Sequence, residues 1–163
     1  MINLNEIKNN IFKRENFFYL IVILSVFGGD RYLKNLVLEK FNENTYYINN
    51  FLNFDLLWNT GIGFGLFSSN SSLFYNFTSG VIATVIFFLI MAGLQSDKFD
   101  KITFSIIIGG ALGNFYDRIV FNAVPDFIDI HYKNFHWFTF NLADIFITLG
   151  IILLICKSIV IKK

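Results

Sequence analysis

Charge is scarce in this sequence. Asp, Glu, Lys and Arg make up 15% of its 163 residues, against about 25% in a water-soluble domain. A single cysteine, Cys156, excludes a disulfide within the chain and a zinc site built on several thiolates. With a single proline, Pro125, and no internal repeat or linker, residues 1–163 read as one domain. Thirteen Lys+Arg against twelve Asp+Glu leave a net charge of +1, without the basic excess that a nucleic-acid partner would require. What the chain has in abundance is apolar surface. Hydrophobic residues are 55% and aromatics 19%, with 22 Phe, and the mean hydropathy is +0.56. A body this small cannot bury so much, which excludes an ordinary cytosolic enzyme and a disordered tail. A bilayer is the solvent that fits.

A helix needs roughly 20 mostly apolar residues to cross the hydrocarbon core. Four windows meet that length, at about 17–38, 73–94, 102–121 and 140–160. Lys8, Lys13 and Arg14 ahead of the first window imitate a secretory signal, but no A-x-A-like site follows it, so it reads as a retained helix. With four spans, eight of the thirteen basic residues (Lys8, Lys13, Arg14, Lys98, Lys101, Lys157, Lys162, Lys163) fall on one side. That side is then cytoplasmic and holds both termini. The expected architecture is an all-α integral membrane protein with outer segments at 39–72 and 122–139. Within the first of these, the aromatic and β-branched runs 45–48 and 51–58, separated by Asn49-Asn50, read as a short sheet or hairpin at the membrane surface.

Ionisable side chains inside membrane helices each cost about 2.5–3.5 kcal/mol on insertion scales. Here they gather at one depth, the outer interface. Asp30 and Lys34 end the first window, Asn114, Asp117 and Arg118 end the third, Asn141 and Asp144 open the fourth, and Asp126 lies in the connection between the last two. Their i,i+3 and i,i+4 spacings put each set on one helix face. Gly109, Gly110 and Gly113 precede the third-window set, and small residues there let a neighbouring helix approach closely.

Each group also has a plainer reading. Asp30 with Lys34 makes an ordinary interfacial ion pair, Asp117 with Arg118 a structural charge network, and Asn141 a helix N-cap. Asp144 suits the dipole of a first helical turn. His131 and His136 read as interfacial, and Cys156 as packed or lipid-facing. The conjunction of Asp126 and Asp144 asks for more. Two carboxylates held together in a partly desolvated site share a proton, giving one general base and one general acid at the same pH. Such a pair can activate water against an amide with neither a nucleophilic serine nor a cofactor. Two other classes remain open at this point. A metal-dependent hydrolase would draw on Asp126, Asp129, His131 and Asp144, although no H-E-x-x-H is present. A transporter or proton relay would spread its carboxylates through the membrane depth.

Four blocks carry a family resemblance. They are Asn59-Thr60-Gly61-Ile62-Gly63-Phe64-Gly65-Leu66-Phe67, Gly109–Arg118, Val124-Pro125-Asp126-Phe127 and Phe140-Asn141-Leu142-Ala143-Asp144-Ile145. In this order, on a chain of this length, they resemble the motifs of bacterial lipoprotein signal peptidases (signal peptidase II). The resemblance implies an intramembrane aspartic endopeptidase of the inner (cytoplasmic) membrane with its site at the outer face. It would cut diacylglyceryl-modified prolipoproteins before the lipidated cysteine, and it is expected to work as a monomer without metal or cofactor. By motif position, Asp126 and Asp144 would be catalytic. Asn59, Asn114, Arg118 and Asn141 would line the site and bind substrate, with Asp30 and Lys34 beside them. The resemblance also implies a β-cradle after the first helix, corresponding to 46–58, and a helical segment before the fourth, near 127–139. Asp129 is an additional carboxylate outside these motifs, and Phe138 stands where a proline often precedes the last block.

Overall fold

The computed structural model describes residues 14–40, 45–61 and 72–161. Four long helices and one four-stranded sheet alternate along the chain. Helix α1 runs Arg14–Lys40, strands β1 (Tyr46–Asn49) and β2 (Leu52–Asn59) form a hairpin, and helices α2 (Ser72–Gln95) and α3 (Lys98–Phe121) follow. Strands β3 (Val124–Tyr132) and β4 (Phe135–Phe140) then lead into α4 (Leu142–Ile161). The helices match the four apolar windows, with α3 beginning four residues early. There Asp97 caps the helix, its carboxylate accepting the Asp100 N–H at 3.1 Å. The other end of α3 closes on Asn122 in the left-handed region (φ 55°), whose N–H donates to the Arg118 carbonyl.

Among the described residues two helices are apolar enough to cross a membrane, over Phe77–Gln95 and Leu142–Val160, each with mean hydropathy 2.2. Most of each span is unburied, so these are not core helices of a soluble body. Phe87, Phe88, Ile152 and Val160 point outward, an apolar surface that only lipid covers well. Helices α1 and α3 have the length, but their polar ends interrupt the apolar run.

Helix α3 is the hub, packing against α1, α2 and α4. Glycines make this possible. A Cβ on Gly109 would lie 2.7 Å from the Val26 Cβ on α1, and one on Gly110 would lie 2.7 Å from the Ala143 carbonyl oxygen on α4. A Cβ on Gly113 would run into an Asp30 carboxylate oxygen.

The sheet is antiparallel in the order β1-β2-β3-β4. It corrects the expected all-α class and extends the expected cradle, because both outer segments contribute strands. It also corrects the expectation of a helical segment near 127–139, where the chain forms β3 and β4. The reason is in the residues. Ile128 and Ile130 alternate with Asp129 and His131, a two-residue period that only a strand satisfies. Between Phe54↔Ile128 and Leu57↔Asp126 the register shifts, with one extra residue in β2. This bulge, at Asp55 and Leu56, faces Phe127, next to the Leu57–Asp126 pair, and bulges re-aim the side chains beside them. The residues of the 59–67 block beyond Gly61 lie outside the described residues, as do Lys8, Lys13, Lys162 and Lys163.

Candidate functional site

At one end of the bundle the polar residues of α1, α3 and α4 meet the sheet. Asp126, on β3, is 2% exposed. One carboxylate oxygen accepts the Asn141 amide N–H at 2.5 Å, and the other accepts the Asn59 amide N–H at 2.9 Å. Asp144, in the first turn of α4, is half-buried. One of its oxygens accepts the Asn114 amide N–H at 2.8 Å, and the other accepts the backbone N–H of Asn141 at 3.1 Å. Asn141 returns the contact, its amide oxygen accepting the Asp144 backbone N–H at 3.1 Å. This is a reciprocal N-cap, so the plainer reading of Asn141 holds while its amide nitrogen also reaches Asp126. Asn141 thereby links the two carboxylates.

The three asparagines share one design. An amide offers an acceptor at one end and a donor at the other, and here each acceptor is already committed. The Asn59 oxygen accepts the Gly61 N–H at 2.9 Å, the Asn141 oxygen accepts the Asp144 N–H, and the Asn114 oxygen accepts from Lys34 Nζ at 2.8 Å. Each NH₂ group is therefore turned toward a carboxylate. Arg118, buried on α3, donates to the Gly61 carbonyl at 2.7 Å and to the Asn114 carbonyl at 3.1 Å. It ties the end of β2, and through Gly61 the Asn59 amide, to the helix.

Beneath this layer lies a buried ion cluster. Lys34 is fully buried and uses its three N–H groups on Asp30 at 2.7 Å, Asp117 at 2.7 Å and Asn114 at 2.8 Å. Arg31 pairs with the other oxygen of Asp117. Asp30 reaches across to α4 and accepts the Ala143 backbone N–H at 3.0 Å, satisfying a first-turn donor of that helix. The expected Asp30–Lys34 pair exists, but as part of a four-ion cluster of balanced charge and not as an isolated interfacial pair.

All eight residues singled out from the sequence join one connected network. Asp117 belongs to it through Arg31 and Lys34, and not through the expected pairing with Arg118, which donates to backbone carbonyls. Arg31 was not anticipated, because next to Asp30 in the sequence it reads as one more interfacial cation. Gly61 was seen only as part of a motif, since its role is carried by its backbone.

Burial pushes the Asp126 carboxyl up from the usual 3.8 to about 7. The neighbouring Asp144 carboxyl adds to the rise, while the amides of Asn59 and Asn141 oppose it.

Asp129 and the histidines form a separate group on the sheet. Asp129 is buried, 2.8 Å from His136 Nδ1 and 3.5 Å from His131 Nδ1. His131, expected at the interface, is itself buried. Among the described residues no group of three or more His, Cys, Asp or Glu side chains is arranged to hold a metal ion.

A family model described as signal peptidase (SPase) II matches residues 22–160. A lipoprotein signal peptidase of Pelagibacter ubique is 47% identical over 150 residues, covering 90% of both chains. One from Francisella tularensis subsp. novicida is 38% identical over 152 residues, covering 89% of this chain and 93% of that one. Two solved structures described as bacterial membrane enzymes superpose with TM-scores of 0.76 and 0.73, each at 25% identity. The first covers 87% of both chains, the second 86% of this chain and 92% of its own.

Proposed function

The chain belongs to the signal peptidase II family, a family of bacterial membrane proteases, and on that premise we propose that it is an aspartic endopeptidase acting through Asp126 and Asp144. Its substrate is a prolipoprotein already carrying diacylglycerol on the cysteine that becomes the new N-terminus. The observation that carries this reading is the junction at Asn141, which joins a deeply buried carboxyl to a half-buried one.

Asp126, buried and raised to about 7, holds the shared proton and is the general acid. Asp144, closer to solvent, is the base. Asp144 takes a proton from a water molecule as its oxygen attacks the carbonyl carbon preceding the lipidated cysteine. The C–N bond breaks as Asp126 gives its proton to the leaving cysteine nitrogen. Afterwards Asp144 carries the proton and Asp126 is ionised, and transfer between them restores the starting state. Asn59, Asn114 and Asn141 each spend one amide N–H on a carboxylate, and the second N–H of each is directed to substrate carbonyls. Arg118, Asp30 and Lys34 hold those amides and the start of α4 in place.

The catalytic end faces outward, all four helices span the inner membrane, and the precursor enters sideways from the bilayer with its acyl chains along the apolar helices. Incubating the purified chain with a diacylglyceryl-modified precursor and with the unmodified precursor tests the substrate. Mass spectrometry should find a product beginning at the modified cysteine, and only in the first reaction. Equal cleavage of both would remove the lipid requirement, and cleavage of neither would remove the activity.

A further inference from the structure

At the end of the bundle opposite Asp126 and Asp144, an apolar groove of about 480 Å³ opens between α1, α2 and α3. It exists because α1 and α2 both pack on α3 and make little contact with each other. Leu20, Ile23, Leu94, Phe104 and Ile108 form its walls. A second apolar groove of about 390 Å³ shares Ile23 and continues along the same α1–α3 seam past Phe27 and Leu112. The two make one trench down the helices.

Its mouth is basic. Arg14, at the start of α1, and Lys101, in the first turn of α3, both line it. Among the described residues neither has an ion-pair partner, whereas nearby Lys157 is neutralised by Asp97 at 2.5 Å and Asp100 at 2.7 Å. Lys101 Nζ instead lies 5.6 Å from the centre of the Tyr19 ring, which holds it over the groove.

We propose that this groove is a binding site for one anionic phospholipid. Its phosphate sits between Arg14 and Lys101 and an acyl chain lies along the trench. The leaflet is the one opposite the dyad, cytoplasmic on the orientation given above. Its apolar lining and a volume of about 480 Å³ suit an acyl chain. A signal-peptide helix would bring a positively charged n-region to a positive mouth.

Native mass spectrometry of the detergent-purified chain tests this, with dioleoyl phosphatidylglycerol and dioleoyl phosphatidylcholine titrated in competition. The expected result is one retained phosphatidylglycerol, preferred by about tenfold or more, as two basic side chains near an anionic headgroup would give. The double variant Arg14→Gln/Lys101→Gln should bring the ratio close to one, and Lys98→Gln, at the same end but outside the groove, should leave it unchanged. Ile90→Trp, which fills the groove, should reduce retention of both lipids. Equal retention of the two lipids by the unmodified chain would overturn the proposal, as would an unchanged preference in the double variant. So would a photo-crosslinker at position 90 that captures a precursor's signal peptide in place of lipid. The readout is lipid retention, so it stands or falls separately from proteolysis.

Discussion

At the scale of single residues, the amides around the dyad are aimed by what lies behind them. Asn141 both caps α4 and donates to Asp126, and the two roles can be separated. Asn141→Ala should lose about 1 kcal/mol of stability with the cap and lower kcat by about 10²-fold, within the usual range for impaired proton transfer. Asn141→Ser keeps a capping oxygen but cannot reach Asp126, so it should recover the melting temperature and not kcat. Asp126 supplies a pH signature. Its carboxyl ionises near 7 in the folded chain and near 4 when unfolded. Between those values the folded protein holds a proton that the unfolded chain lacks, so stability falls as pH rises across that window. The melting temperature should therefore drop from about pH 4 to 7, less steeply in Asp126→Asn, and kcat/KM should fall above about pH 7 as the acid loses its proton. Sequence alone identifies these carboxylates, because acidic groups at a membrane depth demand a reason. It does not identify Arg31, whose partner Asp117 is 86 residues away along the chain.

At the scale of elements, the glycines of α3 set the distances between helices. Gly113→Ala would drive a Cβ into the Asp30 carboxylate. It should destabilise the chain by about 1–3 kcal/mol, the usual range for overpacking, and displace the Lys34 cluster. Gly80→Ala, on α2 with nothing within 4 Å of the added atom, should be neutral or gain up to about 1 kcal/mol of helix propensity. Thermal unfolding of both variants in the same detergent checks the contrast. The helices were legible because a 20-residue apolar run has few other readings. Strands β3 and β4 are masked in the sequence by Asp126, Asp129 and the histidines, whose charge and polarity interrupt the apolar run. The alternation Phe127, Ile128, Asp129, Ile130, His131 was nevertheless present. The bulge in β2 beside the Leu57–Asp126 pair depends on pairing with the distant strand β3 and has no local signature.

At the scale of the whole molecule, the buried ions, the dyad and the sheet gather at one end, and the basic groove lies at the other. This polarity predicts how the chain sits in the membrane. In a Cys156→Ser background, Asn134→Cys in the β3–β4 turn should react with a membrane-impermeant thiol reagent on intact spheroplasts. Ser96→Cys, between α2 and α3, should react only after permeabilisation. The reverse pattern would invert the orientation, and labelling of both would break the four-span topology. Rates of cleavage of a diacylglyceryl-modified precursor by the unmodified chain, Asp126→Asn and Asp144→Asn test the shared-proton dyad most directly. Each carboxamide should lower the rate by more than about a thousandfold, as loss of an essential catalytic group does, in protein that still inserts and unfolds cooperatively. A rate within a few-fold of the unmodified chain from either variant would contradict the dyad.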